Sequence, residues 1–159
     1  MTAPYALQQR CGERPMTSPE IPHQQLDQTA PEELQEELWR RMSALDHVRT
    51  GASVVSLPET RALHMEPGHA FGPDSAFVRD STEFAHLHGL LDGSLHLLLP
   101  EGEAAEAVAK GWGELHPVAV EGRCPPTLIM LYGPRDEDEL ETVWDLVRRS
   151  HAFAAGQIL

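Results

Sequence analysis

The sequence predicts an α+β fold: a single domain, mainly antiparallel sheet, with helices packed on one face. Two apolar stripes at helical spacing stand near the two ends of the chain, one starting at Leu34 and one at Leu140. Between them lie short strand-like runs bounded by Pro and Gly. One pair of runs, Phe84 to Pro100, surrounds an Asp92-Gly93 turn and alternates histidine with alanine or leucine, so it needs a core on one side only. Helices flanking several short strands are the mark of a layered α+β domain.

The elements follow in order. Residues 1–28 are rich in Pro, Gln, Ser and Thr and poor in large apolar side chains, which predicts a disordered tail; residues 29–159 form the domain. Thr29, Pro31 and Glu32 predict a helix start. Leu34, Leu38, Met42, Leu45 and Val48 continue it at helical spacing until Gly51. Strands are expected over 52–57, 61–65 and 76–79, then the hairpin. A second helix is expected over 103–110, ended by Gly111, with further strands over 115–120 and 127–132. Asp136 caps a last helix with Glu139 three residues on, and its stripe is Leu140, Val143, Trp144, Val147 and His151.

Composition narrows the function. The chain has 159 residues, enough for a real core, and a formal net charge of -13. Without a basic patch, that charge speaks against nucleic acid as a partner. No apolar run approaches the ~20 residues of a membrane-spanning helix, and the first ten residues do not resemble a signal peptide. Cys11 and Cys124 make no disulfide framework. A cytoplasmic protein acting on a small molecule is expected.

The hairpin carries the most chemistry. In one register Asp92-Gly93 is a two-residue turn, and His96 faces away from His86 and His88. In the other, a three-residue loop 91–93 pairs His88 with His96 and His86 with Leu98. The second is favoured, because it alone makes one face wholly apolar (Ala85, Leu87, Leu95, Leu97, Leu99). His86, His88 and His96 then share the other face. Imidazole exchanges protons near neutral pH and ligates metals, so these residues are acid–base candidates or, with a transition metal, the ligand set. Ordinary solvated histidines on a sheet surface are the plain alternative.

Two further stretches are candidates. In Gly111-Trp112-Gly113-Glu114-Leu115-His116-Pro117, an extended backbone puts Trp112, Glu114 and His116 on one face, as a pocket wall, an orienting carboxylate and an acid–base group. Trp112 as a core residue is the plainer reading. In Tyr132-Gly133-Pro134-Arg135-Asp136, Arg135 at a helix start could hold a carboxylate or enolate beside Tyr132, or simply pair with a neighbouring acid. No Gly-rich phosphate loop, serine nucleophile elbow or Cys-x-x-Cys pair is present.

Four segments in order, Glu83-Phe-Ala-His-Leu-His88, Asp92-Gly-Ser-Leu-His96, Gly111-Trp-Gly-Glu-x-His-Pro117 and Tyr132-x-Pro-Arg-Asp136, resemble the luciferase-domain family. That family includes fungal luciferases and many bacterial proteins. The resemblance covers roughly residues 52–156. It implies His86, His88, His96 and His116 as catalytic positions, with Trp112, Glu114, Tyr132 and Arg135 around the substrate. The fungal members oxidise a hydroxylated pyrone with molecular oxygen and need no added redox cofactor. The resemblance therefore implies an oxygenase-like enzyme of secondary metabolism, acting on an enolic or phenolic metabolite with no cofactor. A His-ligated metalloenzyme (hydrolase, cyclase or isomerase) and a non-catalytic metabolite-binding protein are the alternatives.

Overall fold

The structure, a computed structural model, describes residues 5–159. The elements run α1 (Glu32–Ser43), β1 (Val48–Ala52), β2 (Arg61–Met65), β3 (Glu83–Leu87), β4 (Leu95–Leu98), α2 (Glu101–Ala109), β5 (Gly113–Leu115), α3 (Pro117–Val120), β6 (Leu128–Leu131) and α4 (Glu137–Ala154). The six strands form one sheet in the order β1-β2-β3-β4-β6-β5, with every pairing antiparallel. The α+β class expected from the sequence is therefore the fold observed. No helix among the described residues is long and apolar enough to cross a membrane.

The two faces of the sheet differ in kind. Residues paired directly across an antiparallel ladder point to the same side. One row reads Leu63, Ala85, Leu97, Ile129, Leu115. It packs against Leu38 and Met42 of α1, Ala104 and Ala107 of α2, and Val143 and Val147 of α4. The next row reads Ala62, His86, His96, Met130, Glu114 and lies on the opposite side. Ser150 fastens α4 to the sheet, its hydroxyl donating to the carbonyls of Phe84 (3.2 Å) and Leu98 (2.7 Å).

Some elements depart from the sequence reading. The first helix ends at Ser43, and Val48 and Gly51 belong to β1 instead. His47 takes a left-handed φ of 60°, which breaks the helical path, and β-branched Val48 and Thr50 then pair with β2. Pro31, not Thr29, precedes the first helical turn, and no side chain caps it. Residues 53–57 and 77–79 are irregular, and Asp74–Ala76 is a helical turn. Of the expected strand 115–120, only Leu115 lies in a strand, because Pro117 opens α3 with the His116 ring accepting from the Val118 N–H. The other predicted strands and the last two helices are present, α4 with its Asp136 cap bonded to the Glu139 N–H at 2.8 Å.

Residues 5–28 are not laid out as the expected tail; Met1–Pro4 lie outside the described residues. The Tyr5 hydroxyl donates to Asp145 (2.9 Å), Trp112 donates to the Gln8 carbonyl (2.7 Å), and Gly133 N–H donates to the Gln25 side chain (3.0 Å). Arg10, His23 and Gln25 are buried. Polar side chains hold this segment in place, a mode that a count of apolar residues does not register.

Candidate functional site

The hairpin register is neither of the two considered. His86 pairs with His96, Leu87 with Leu95, and His88 N–H bonds the Ser94 carbonyl at 2.9 Å, leaving a five-residue loop, 89–93. Asp92 N–H and Gly93 N–H both donate to the Gly89 carbonyl, and Gly93 holds φ 69°. The parity matches the favoured register, so His86, His88 and His96 do share one face. Leu90, which strict alternation would add to that face, lies in the loop and is exposed.

Three rings converge at close range. His96 Nδ1 lies 3.1 Å from His86 Nε2 and 3.0 Å from His88 Nε2. All three histidines are buried. The remaining nitrogen of each ring leads to a carboxylate. His86 Nδ1 meets Glu83 at 2.6 Å. His88 Nδ1 meets the Ser94 hydroxyl at 2.8 Å, which in turn donates to Asp92; the second Asp92 oxygen stands 3.3 Å from the same nitrogen. His96 Nε2 meets His23 Nδ1 at 2.8 Å, and His23 Nε2 meets Glu114 at 2.9 Å.

A β-bulge puts Glu83 where it is. The β2–β3 register shifts between Leu63 and His64, so that Ala85 faces Leu63 but Glu83 faces His64. Phe84 becomes the extra residue and turns into the core, its ring 5.8 Å from that of His151. Simple alternation would send Glu83 to the apolar side with Ala85 and Leu87; the bulge re-aims it at His86. Burial pushes the Glu83 carboxyl up, but the His86 ring, the Val54 N–H (2.8 Å) and the Ser53 hydroxyl (2.9 Å) outweigh it and hold it below the usual carboxylate range. Asp92 and Glu114 are likewise raised by burial and lowered further by their donors, among them the Tyr132 hydroxyl and Thr17 on Glu114.

The imidazoles shift the other way. Burial, with the neighbouring rings, lowers His96 well below its ordinary value. Burial also lowers His86, against the pull of Glu83, and brings His116 to about 4. The hydrogen bonds to carboxylates and their partners orient the rings. Glu83 accepts from His86 Nδ1–H. The Ser94 hydroxyl, committed to Asp92, accepts from His88 Nδ1–H. Glu114 accepts from His23 Nε2–H, and His23 Nδ1 and His96 Nε2 share one proton. His86 Nε2, His88 Nε2 and His96 Nδ1 are the nitrogens that converge. His116 is different: its Nδ1 accepts from Val118 N–H at 3.2 Å, so its Nε2 carries the proton and donates.

These rings floor an open cavity of about 1640 Å³, which His23, His86, His88, His96 and His116 all line. Its rim is apolar, with exposed Ile21, Val55, Leu57, Leu90 and Leu91. Arg61, Arg79 and Arg123 also line it, each beside a carboxylate, Glu36, Asp80 and Glu121.

The structure thus brings His86, His88, His96 and His116 to one cavity. Glu114 and Tyr132 stand behind it, bonded to each other at 2.8 Å. Trp112 precedes β5 and turns into the core, so it walls no pocket. Arg135 is outside the cavity lining, held by Glu139 at 2.5 Å and by the Cys11 carbonyl. Sequence reasoning did not select His23, Glu83, Asp92 or Ser94. Glu83 and Asp92 stood inside the quoted motifs, three residues before His86 and four after His88; a strand-to-ring relay from them needs the bulge and the turn.

Comparison with known proteins agrees with the four motifs. Residues 81–150 match the family model for the Luciferase domain, a stretch that holds the hairpin, α2, β5, β6 and most of α4. The chain is also similar to fungal luciferases. It is 42% identical over 77 residues to the luciferase of Armillaria ostoyae and 42% identical over 77 residues to that of Neonothopanus nambi. The Armillaria mellea luciferase is 40% identical over the same length. Each alignment takes in 47% of this chain and 29% of the relative. No solved structure matches the chain.

Proposed function

We propose that this protein is an oxygenase-like enzyme acting on an enolic or phenolic small molecule bound in the histidine-floored cavity. The supporting observation is the convergence of three carboxylate-backed imidazole nitrogens, His86 Nε2, His88 Nε2 and His96 Nδ1, within 3.1 Å of one another through His96. Electron-pair donors clustered beneath an apolar-rimmed cavity suit a flat molecule with an acidic hydroxyl at one end and an apolar remainder. The floor eases loss of the enol proton, and the electron-rich enolate is the species that meets molecular oxygen. His116 Nε2–H donates to the anionic oxygen. The match of residues 81–150 to the Luciferase domain and the similarity to fungal luciferases support this chemistry.

Oxygen consumption with a panel of hydroxypyrones and polyketide-like enols tests the reading. Uptake is expected with some of them, and its loss is expected in His88→Ala. Unchanged turnover in His86→Ala, His88→Ala, His96→Ala and His116→Ala, each taken singly, overturns it.

A further inference from the structure

We propose that His86 Nε2, His88 Nε2 and His96 Nδ1 bind a divalent transition-metal ion. The hydrogen bonds that Glu83, Ser94 and His23 make to the outer ring nitrogens turn His86 Nε2, His88 Nε2 and His96 Nδ1 toward one another. Three imidazole nitrogens facing one point form a ligand set that a single cation satisfies together, through the lone pair each can offer it.

The spacing fits. With metal–nitrogen bonds of about 2.1 Å, ligands at right angles stand about 3.0 Å apart, and tetrahedral ones about 3.4 Å. The two separations from His96 Nδ1 are 3.0 and 3.1 Å, near the right-angled value, and one nitrogen of each ring lies within 4.8 Å of the others. Three imidazoles form a ligand set for zinc, iron, nickel or copper. The surroundings also fit. Ligating histidines characteristically give their second nitrogen to a carboxylate or a group bonded to one, and here all three do, through Glu83, through Ser94 to Asp92, and through His23 to Glu114. Three carboxylates gathered around neutral rings also supply countercharge for a dication.

His23, His96 and His116 form a second close trio. Two bonds decide against it. His23 Nδ1 and His96 Nε2 already share a proton, and His116 Nε2 carries its own. His47, Glu66 and His69 form a third group on the surface, but it lacks any buried backing.

The inference deepens the enolate reading and is separable from it. An enolate is stabilised by positive charge, and the arginines that line the cavity, Arg61, Arg79 and Arg123, each stand beside a carboxylate, Glu36, Asp80 and Glu121. An ion in the trio lowers the pKa of an enol oxygen bound to it, as it does for water, and the proton leaves to solvent.

The test uses the 159-residue chain, analysed for metals as purified, then stripped with chelator and titrated with Co(II), with Zn(II) as competitor. One equivalent with visible ligand-field bands is expected. His96→Ala and His88→Ala should lose it; Glu83→Gln, which keeps all three imidazoles but lets the amide donate to His86 Nδ1 so that metal must displace a proton from Nε2, should weaken affinity about 10–100-fold with an unchanged circular dichroism spectrum. His47→Ala/His69→Ala should bind normally. No stoichiometric binding, binding that survives His96→Ala in folded protein, or binding lost in His47→Ala/His69→Ala overturns the proposal. Because the readout is metal binding, a metal-loaded protein that consumes no oxygen overturns only the oxygenase reading.

Discussion

The two faces of the one sheet are built by different rules. Toward the helices, side-chain parity suffices: Leu63, Ala85, Leu97 and Ile129 alternate into a core, and each is replaceable in kind if volume is kept. Toward the cavity, parity only brings the rings to the right side. Their identity as lone-pair donors depends on partners from elsewhere: a bulge for Glu83, a turn for Asp92 and Ser94, and the N-terminal segment for His23. One face tolerates approximate shape; the other requires each hydrogen bond, because buried polar groups without partners are costly.

The comparison predicts opposite responses. Leu97→Ala, at a fully buried site on the apolar face, should cost the most stability, about 2–5 kcal/mol by urea denaturation. Its effect on the cavity should be indirect. A cost under about 1 kcal/mol would mean the helix-side core is not what holds the sheet. His23→Ala comes next. It strips the His96 Nε2–H of its acceptor and Glu114 of a donor, and should cost about 1–3 kcal/mol. If the N-terminal segment contributed nothing to the site, His23→Ala would unfold at the same urea concentration as the parent protein.

Glu83→Gln should cost less, about 1 kcal/mol, since the amide oxygen still accepts from Val54 N–H. Its functional effect should nevertheless exceed that of any apolar-face variant. A glutamine can donate to His86 Nδ1, which reverses the ring's tautomer and puts a proton where a lone pair faces the cavity. Oxygen uptake should fall about 10–100-fold while the urea midpoint hardly moves. Equal losses of stability and turnover would erase the distinction between the two faces.

What the sequence made legible follows the same division. The leucine rows, the Asp136 cap and the α+β class are visible because helix and strand periods and capping chemistry are local. So was the shared face of His86, His88 and His96, since parity survives a two-residue error in loop length. The carboxylates behind them were not selected: Glu83 reaches His86 only because Phe84 bulges out of the ladder, and a bulge leaves no mark in the hydrophobic pattern. His23 was set aside with a Pro- and Gln-rich stretch because apolar content measures only one way of ordering a chain. Arg135 carried the right charge at a helix start, but Glu139, one turn on, takes it up.

That Arg135–Glu139 pair gives the smallest effect and a check from outside the cavity. Burial raises the Glu139 carboxyl, and the Arg135 guanidinium and backbone N–H more than offset this, leaving it below the usual carboxylate range. A carboxyl whose pKa is lower folded than unfolded stabilises the protein when ionised in both states, so its contribution is complete at neutral pH. As pH falls past the ordinary carboxylate value, the unfolded chain takes up its proton first, and the contribution fades until the folded group titrates as well. Discounted for solvent screening, the pair should be worth about 1 kcal/mol or less. Glu139→Gln should therefore lower the urea midpoint slightly at pH 7, and the gap to the parent should close on acidification below about pH 4. A gap that stays constant with pH would assign the effect of Glu139 to packing and to its bond with the Arg135 backbone N–H, with no share for the charge.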